Sequence, residues 1–316
     1  MNTDDQKTYD HVRGGGAGFY ERRRGLIVVR GGEAVPFLDG MITNNVKKLA
    51  DGEQMIAAFP NAQGRLIAVV RVKRQGEHFF FETEEATRET VFQHLFRFTY
   101  AGDFFVEDVT DGFSAFEIFG PKDDVYHVNV AERMPGTAVY ELRHGALYFV
   151  PSEKAGGFRS FLADENQCVE IGDDLYEVLR IEAGIPLYGK DMDESTIVPE
   201  LGLEEMISYN KGCYVGQEII ARIHFRGHVA KQLTGLVLSD LPDTIEPLTS
   251  LDGKDAGRMT SFTFSPGLST SIALGYIRYE HLADGTQLKA GDLNATVRGL
   301  PFVADRLQET GSAGVL

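Results

Sequence analysis

Apolar residues along this chain fall mostly into short runs broken by glycine, with a few stretches at helical spacing. "RGLIVVRGG" (Arg24 to Gly32) is a β-branched run closed by glycines, a strand pattern. "EAVPFLDGMITNNVKKL" (Glu33 to Leu49) takes helical spacing after Pro36 and meets a polar break at Thr43 to Asn45. Residues Arg65 to Thr83 read as two strands joined at Gln75-Gly76. Glu85 to Gly102 repeats apolar residues as a helix would and ends on a glycine that suggests its cap. "FFVEDVT", "SAFEIFG" and "ALYFVPS" are strand-like. "GDDLYEVLRIEAGIP" (Gly172 to Pro186) is a helix with an acidic start and a Gly-x-Pro stop. After Lys231 the texture changes to short strands between Gly, Pro and Asp turns, the pattern of a small antiparallel barrel or sandwich. The expected division is a loose polar arm over 1–24, a domain over 25–230 in two α/β parts meeting near 112, and a strand-rich domain over 231–316.

Composition adds bounds. The 316 residues are 43% hydrophobic and 25% charged, enough for about two packed domains. A formal charge of −16 repels nucleic acid backbones and anionic membranes, so neither is expected as a partner. No apolar run approaches the roughly 20 residues of a membrane helix, and the N-terminus lacks a secretory pattern. Two cysteines, Cys168 and Cys213, make no disulfide framework and cannot alone ligate a structural metal. A cytoplasmic location is expected, Cys168 is read as core filler, and no metal site is expected.

Several patterns resemble sites and lack the chemistry. "GIPLYGKD" (Gly184 to Asp191) has the spacing of a phosphate-binding loop, but Asp191 stands where a hydroxyl must meet magnesium. His224 and His228 are four apart, yet Gly227 breaks the helix and no third ligand is visible. The chain has no G-x-S-x-G elbow.

"YNKGCYVGQEII" (Tyr209 to Ile220) is more specific. Cys213 precedes a helical run and Lys211 lies two residues before it; positive potential there favours thiolate. A buried cysteine in a tight turn explains the same residues. Upstream, Glu182 lies where its helix should end. It is either a surface charge or a carboxylate able to accept two hydrogen bonds from a planar N–C–N edge. Arg222 and Arg226, four apart, either reach carboxylates together or form a solvated helix face.

Taken in order, "RIEAGIP", "DMDESTIVPELGL", "KGCYVGQE" and "ARIHFRG" resemble the signature block of the YgfZ family of folate-binding proteins, relatives of the glycine cleavage T-protein. "FLDGMITNNV", "FPNAQGRLIA" and "AGRMTSFTFSP" extend the resemblance over most of the chain, with Asn45 where the family usually has aspartate. The resemblance implies an α+β aminomethyltransferase-like fold: two ferredoxin-like α/β parts and a C-terminal antiparallel β-barrel around a central pocket. The implied cofactor is tetrahydrofolate or a derivative. Glu182 would hold the pterin, Arg222 and Arg226 would steer the glutamate tail, and Tyr188, Tyr214 and Gln217 would complete the binding set. Cys213 and Lys211 would carry the chemistry.

The T-protein's aspartate pair corresponds to Ile67 and Ala68 here, which argues against glycine cleavage. The resemblance therefore implies an accessory factor for iron–sulfur client proteins, including enzymes that modify transfer RNA. The rivals are a folate-dependent aminomethyl or one-carbon transferase or demethylase, and a ligand-free structural protein.

Overall fold

A computed structural model describes residues 3–120, 130 and 133–303, apart from the side chain of Arg226. The chain builds three units. The first is a five-stranded sheet in the order β3 (Gln54–Pro60), β4 (Leu66–Gln75), β5 (His78–Glu84), β2 (Arg24–Arg30), β6 (Phe105–Asp108). Helices α2 (Ala34–Met41) and α3 (Glu85–Phe96) accompany it, and Leu38, Val91 and Leu95 join Ile27, Val70 and Phe81 in one core. The second sheet runs β10 (Val169–Glu170), β1 (Gly18–Arg22), β7 (Phe113–Phe119), β9 (Gly145–Pro151), β8 (Ala138–Leu142). Helix α4 (Ala155–Ser160) lays Phe158 into its core beside Phe116 and Tyr148.

The third unit is a closed antiparallel barrel in the order β11 (Lys231–Leu238), β14 (Thr270–Arg278), β13 (Asp255–Ser265), β12 (Pro247–Ser250), β15 (Gln287–Ala290), β16 (Leu293–Arg298). Leu236, Leu248, Met259, Ile277 and Val297 fill it. Closure removes the exposed edges that open sheets leave. Helix α5 (Asp173–Glu182) fastens the α/β part to the barrel. Its Arg180 is fully buried, donates to Asp191 at 2.9 Å and to Ser261 Oγ at 2.8 Å, and Asp191 also accepts from Thr260 and Ser261. The phosphate-loop lookalike is thus part of a buried strut.

Two expectations are corrected. Residues 3–22 are not a loose arm: Thr3–Arg13 is helix α1, and β1 pairs with both β7 and β10. Only Tyr9 and Val12 of α1 are buried, too few apolar positions to show a helical period through the polar residues around them. The N-terminus therefore joins the later of the two α/β parts. Helix α3 stops at Phe96 rather than Gly102, because Thr99 Oγ1 donates to the Phe96 carbonyl at 2.8 Å and Gly102 is extended.

The segment 209–226 is anchored against the first sheet. Gly216, at φ +79°, opens helix α6 (Gln217–Arg226), and a Cβ there would lie 2.4 Å from the Asn61 carbonyl oxygen. Gly212 is open, its nearest neighbour being Asp39 Oδ2 at 3.9 Å. Gly216→Ala is expected to cost about 1–3 kcal/mol in urea unfolding, and Gly212→Ala less than about 0.5 kcal/mol.

Candidate functional site

Lys211 is a structural cation. Its side chain is wholly buried, and Nζ donates to the carbonyls of Asp39 (2.6 Å), Ile42 (2.8 Å) and Asn44 (2.7 Å), with the Asp39 carboxylate 3.3 Å away. These carbonyls lie at the C-terminal end of α2 and just past it, where helix acceptors lack intrahelical partners and a cation is favoured. Burial pulls the lysine pKa down to about 8, against the charge of Asp39. Tyr214 is 8% exposed and packs into the junction core under the Lys211 ammonium, 5.1 Å from its ring centre. Cys213 is exposed.

The other sequence candidates are scattered. Glu182 is fully buried. Its Oε1 accepts from Tyr9 Oη at 2.8 Å and from Ser265 Oγ, and its Oε2 from Arg13 Nε at 3.1 Å. That carboxylate ties α1, α5 and the barrel together, so its acceptor positions are already engaged. Arg222 lies on the exposed side of α6 with Glu218, Ala221 and Phe225 in a shallow groove. Gln217 is half-buried in the first turn of the same helix, and the Arg226 side chain lies outside the described residues. His224 stacks on Tyr209 and His228 on Tyr279, and among the described residues no three His, Cys, Asp or Glu side chains form a metal-binding group. Tyr188 differs: its backbone N–H donates to both oxygens of Glu84 at 3.2 Å.

Glu84 marks a hollow between the two sheets. An outer cavity of about 440 Å³ shares Ile56, Arg71, Leu142, His144, Ile185, Pro186 and Leu203 with a narrow inner one of about 70 Å³, so the two form one chamber. Neither of these two cavities is lined by Glu182 or Cys213. The inner end adds Arg22, Arg24, Glu84, Glu117 and Tyr176.

These charges are ordered. Arg24 and Arg71 both bind the fully buried Glu82, Arg71 at 2.9 Å. Burial opposes the ionised Glu82, but the two guanidiniums hold its pKa below the usual carboxylate range. Glu117 accepts from His144 Nε2 at 2.8 Å and Arg22 Nη1 at 3.3 Å. Burial pushes its pKa up, and the hydrogen bond from His144 with the charges of Arg22 and Arg24 outweighs it, giving about 2. Arg22 also binds Tyr176 Oη. Glu84 is left apart: burial raises its pKa against the charges of Arg24 and Arg22, and among the described residues its carboxylate accepts only from the Tyr188 backbone. It is a half-satisfied acceptor beside flat apolar walls. The sequence signal for this set was a charge inside an apolar strand: Arg71 in "IAVVRV", Glu82 in "FFFETE", Glu117 in "SAFEIF".

Fold and chamber together define an α+β protein with two sheets facing across a charged hollow and a barrel fastened to them. The chain belongs to the glycine cleavage T-protein, or aminomethyltransferase, family. The GCVT N-terminal domain model matches residues 6–130, and the glycine cleavage T-protein C-terminal barrel domain matches 231–303. An aminomethyltransferase of Thermotoga neapolitana is 30% identical over 281 residues, 80% of this chain and 76% of that protein. A chloroplastic protein of Arabidopsis thaliana named as a transferase is 26% identical over 89% of this chain and 69% of its own length. The crystal structure of aminomethyltransferase T from Bartonella henselae superposes with a TM-score of 0.84 at 19% identity, over 96% of this chain and 90% of that one, a match of fold. Among the described residues no helix is long and apolar enough to cross a membrane.

Two outcomes are expected. Lys211→Met leaves three carbonyls and Asp39 without their cation and lowers unfolding stability by about 3–5 kcal/mol, whereas Cys213→Ser changes it by less than about 0.5 kcal/mol. Glu117 is depressed from 4.5 to about 2 on folding, so its stabilisation is complete above pH 4.5 and is lost as pH falls toward 2. Glu117→Gln should be less stable than wild type at pH 7 and lose less stability across that acid window in chemical denaturation.

Proposed function

We propose that this protein binds a reduced folate in the central chamber and acts as an accessory factor for iron–sulfur proteins, including enzymes that modify transfer RNA, in the manner the YgfZ resemblance implies. The observation that carries the reading is the contrast between two stretches. The positions matching the T-protein carboxylates, Ile67 and Ala68, are apolar and packed with the first sheet's core. The KGCYVGQE loop, by comparison, holds its thiol at the surface on a buried lysine anchor. Without that carboxylate pair the chain lacks the charge that the T-protein sets beside a cationic aminomethyl species. An exposed Cys213 on a fixed loop suits exchange with another protein's sulfur or cluster.

The chamber fits a reduced folate on chemical grounds. Ile56, Leu142, Ile185, Pro186 and Leu203 form apolar walls for a flat ring, and Glu84 offers an acceptor to a planar N–C–N edge. Arg71 and Arg143 line the wider end beside Glu141 and Glu205, and would meet a carboxylate tail there. Tyr188 orients Glu84 through its main chain, and Arg222 stays available to a tail leaving the chamber or to a partner. The pterin-reading role moves from Glu182 to Glu84 because Glu182's oxygens already serve Tyr9, Arg13 and Ser265.

The second reading, a folate-dependent one-carbon transferase or demethylase, is favoured by one observation: the chamber wall holds a paired His144 and Glu117. Single-turnover formation of methylene-tetrahydrofolate from a methylamine donor separates it from the first reading.

Titration calorimetry with tetrahydrofolate tests the ligand, and absence of binding returns the chain to a ligand-free scaffold. Glu84→Gln should weaken binding by about 1.5–3 kcal/mol, while Glu182→Gln should chiefly lower unfolding stability. In cells lacking the native protein, Cys213→Ala should fail to restore iron–sulfur enzyme activity. Full restoration removes the thiol from the account.

A further inference from the structure

His144 occupies the two-residue turn between β8 and β9 and is only 6% exposed, yet it lines both parts of the chamber. Its ring is fixed from two sides. Phe119 stacks on it with centroids 4.4 Å apart, and Nε2 is 2.8 Å from Glu117 Oε1. An acceptor-only carboxylate at that distance requires Nε2 to carry a hydrogen. Nδ1 is then an acceptor in the neutral ring and a donor in the cation, and among the described residues no partner is recorded for it. An oriented imidazole backed by a buried carboxylate is built to exchange protons.

The elements packed around the ring contribute charged or titratable groups. Glu117 comes from β7, Glu84 from β5, Arg22 from β1, Arg24 from β2, Arg71 from β4 and Tyr176 from α5, while Glu141 and Arg143 flank the ring on its own hairpin. A ligand that brings an acceptor atom to Nδ1 finds a hydrogen-bond donor there only when the ring carries a second proton.

Building on the folate reading, we propose that His144 is a ligand-binding residue that takes up a proton from solvent as the reduced folate binds and donates a hydrogen bond from the resulting Nδ1–H to a carbonyl oxygen of the ligand. Solvent gives the proton, an N–H bond forms at Nδ1, and the charge is matched by Glu117. No ligand bond is made or broken.

Calorimetric titration with 5-formyltetrahydrofolate, a stable reduced folate, in two buffers of different ionisation enthalpy measures the protons taken up per ligand bound. Wild type should show uptake of a substantial fraction of one proton near neutral pH. Its affinity should fall with rising pH, by at most about tenfold per unit for a single proton. His144→Gln keeps an amide donor for Glu117 and should bind with uptake near zero and a flat pH profile. Glu117→Gln should bind with its half-maximal uptake moved to lower pH, because the supporting anion is gone. A purely structural His144 would leave the proton count unchanged among folded variants. Equal uptake in His144→Gln and wild type overturns the inference and leaves the folate reading intact, as does binding without uptake in wild type. No binding by wild type overturns both.

Discussion

Two carboxylates buried between sheets, each matched by guanidinium groups, are the constraint on which the architecture rests. The chain leaves the second sheet at Arg22 and enters the first at Arg24, and these two arginines serve opposite sides: Arg22 reaches Glu117 on β7 and Arg24 reaches Glu82 on β5. Removing either partner leaves an uncompensated buried charge, which costs far more than the pair contributes over an apolar replacement. Each of these pairs lies within one sheet, so the network sets the charge of the two faces that meet at the chamber. The chamber is the space between these two charged faces.

Three further ties follow the same logic at the margins of the chamber. Glu182 joins α1, α5 and the barrel. The Arg180–Asp191 pair joins α5 to β13 through Ser261. Lys211 closes the end of α2 and holds the cysteine loop. Each is a charged group whose hydrogen-bonding capacity is taken up within the fold, so none is available to a ligand. Glu84 and His144 stand out because part of their capacity is left over. These two residues give the hollow a specific chemistry.

Much of the fold was legible because it rests on local pattern. The strand pair at Gln75-Gly76, the helix ending before Gly184 and the barrel after Lys231 all carry strong periodicity or turn chemistry. The structure has the aminomethyltransferase-like fold with a closed C-terminal barrel. The N-terminal helix and strand were hidden, since two buried residues in α1 make no visible period and β1 acquires its partners from far along the chain. The site was less legible. A motif identifies residues that matter without saying whether they bind a ligand or hold the fold, and Lys211 and Tyr214 hold the fold. The chamber acids and bases were visible only as charges inside apolar strands. Their convergence depends on strand order and on the crossing between sheets, which no local spacing encodes.

A crystal structure of the protein with bound tetrahydrofolate tests the central claim most directly. The account predicts pterin density at the narrow end of the chamber, within hydrogen-bond reach of Glu84 and His144, with Glu182 still bound to Tyr9 and Arg13. Pterin density against a Glu182 released from those partners, or outside the space between the two sheets, would contradict it.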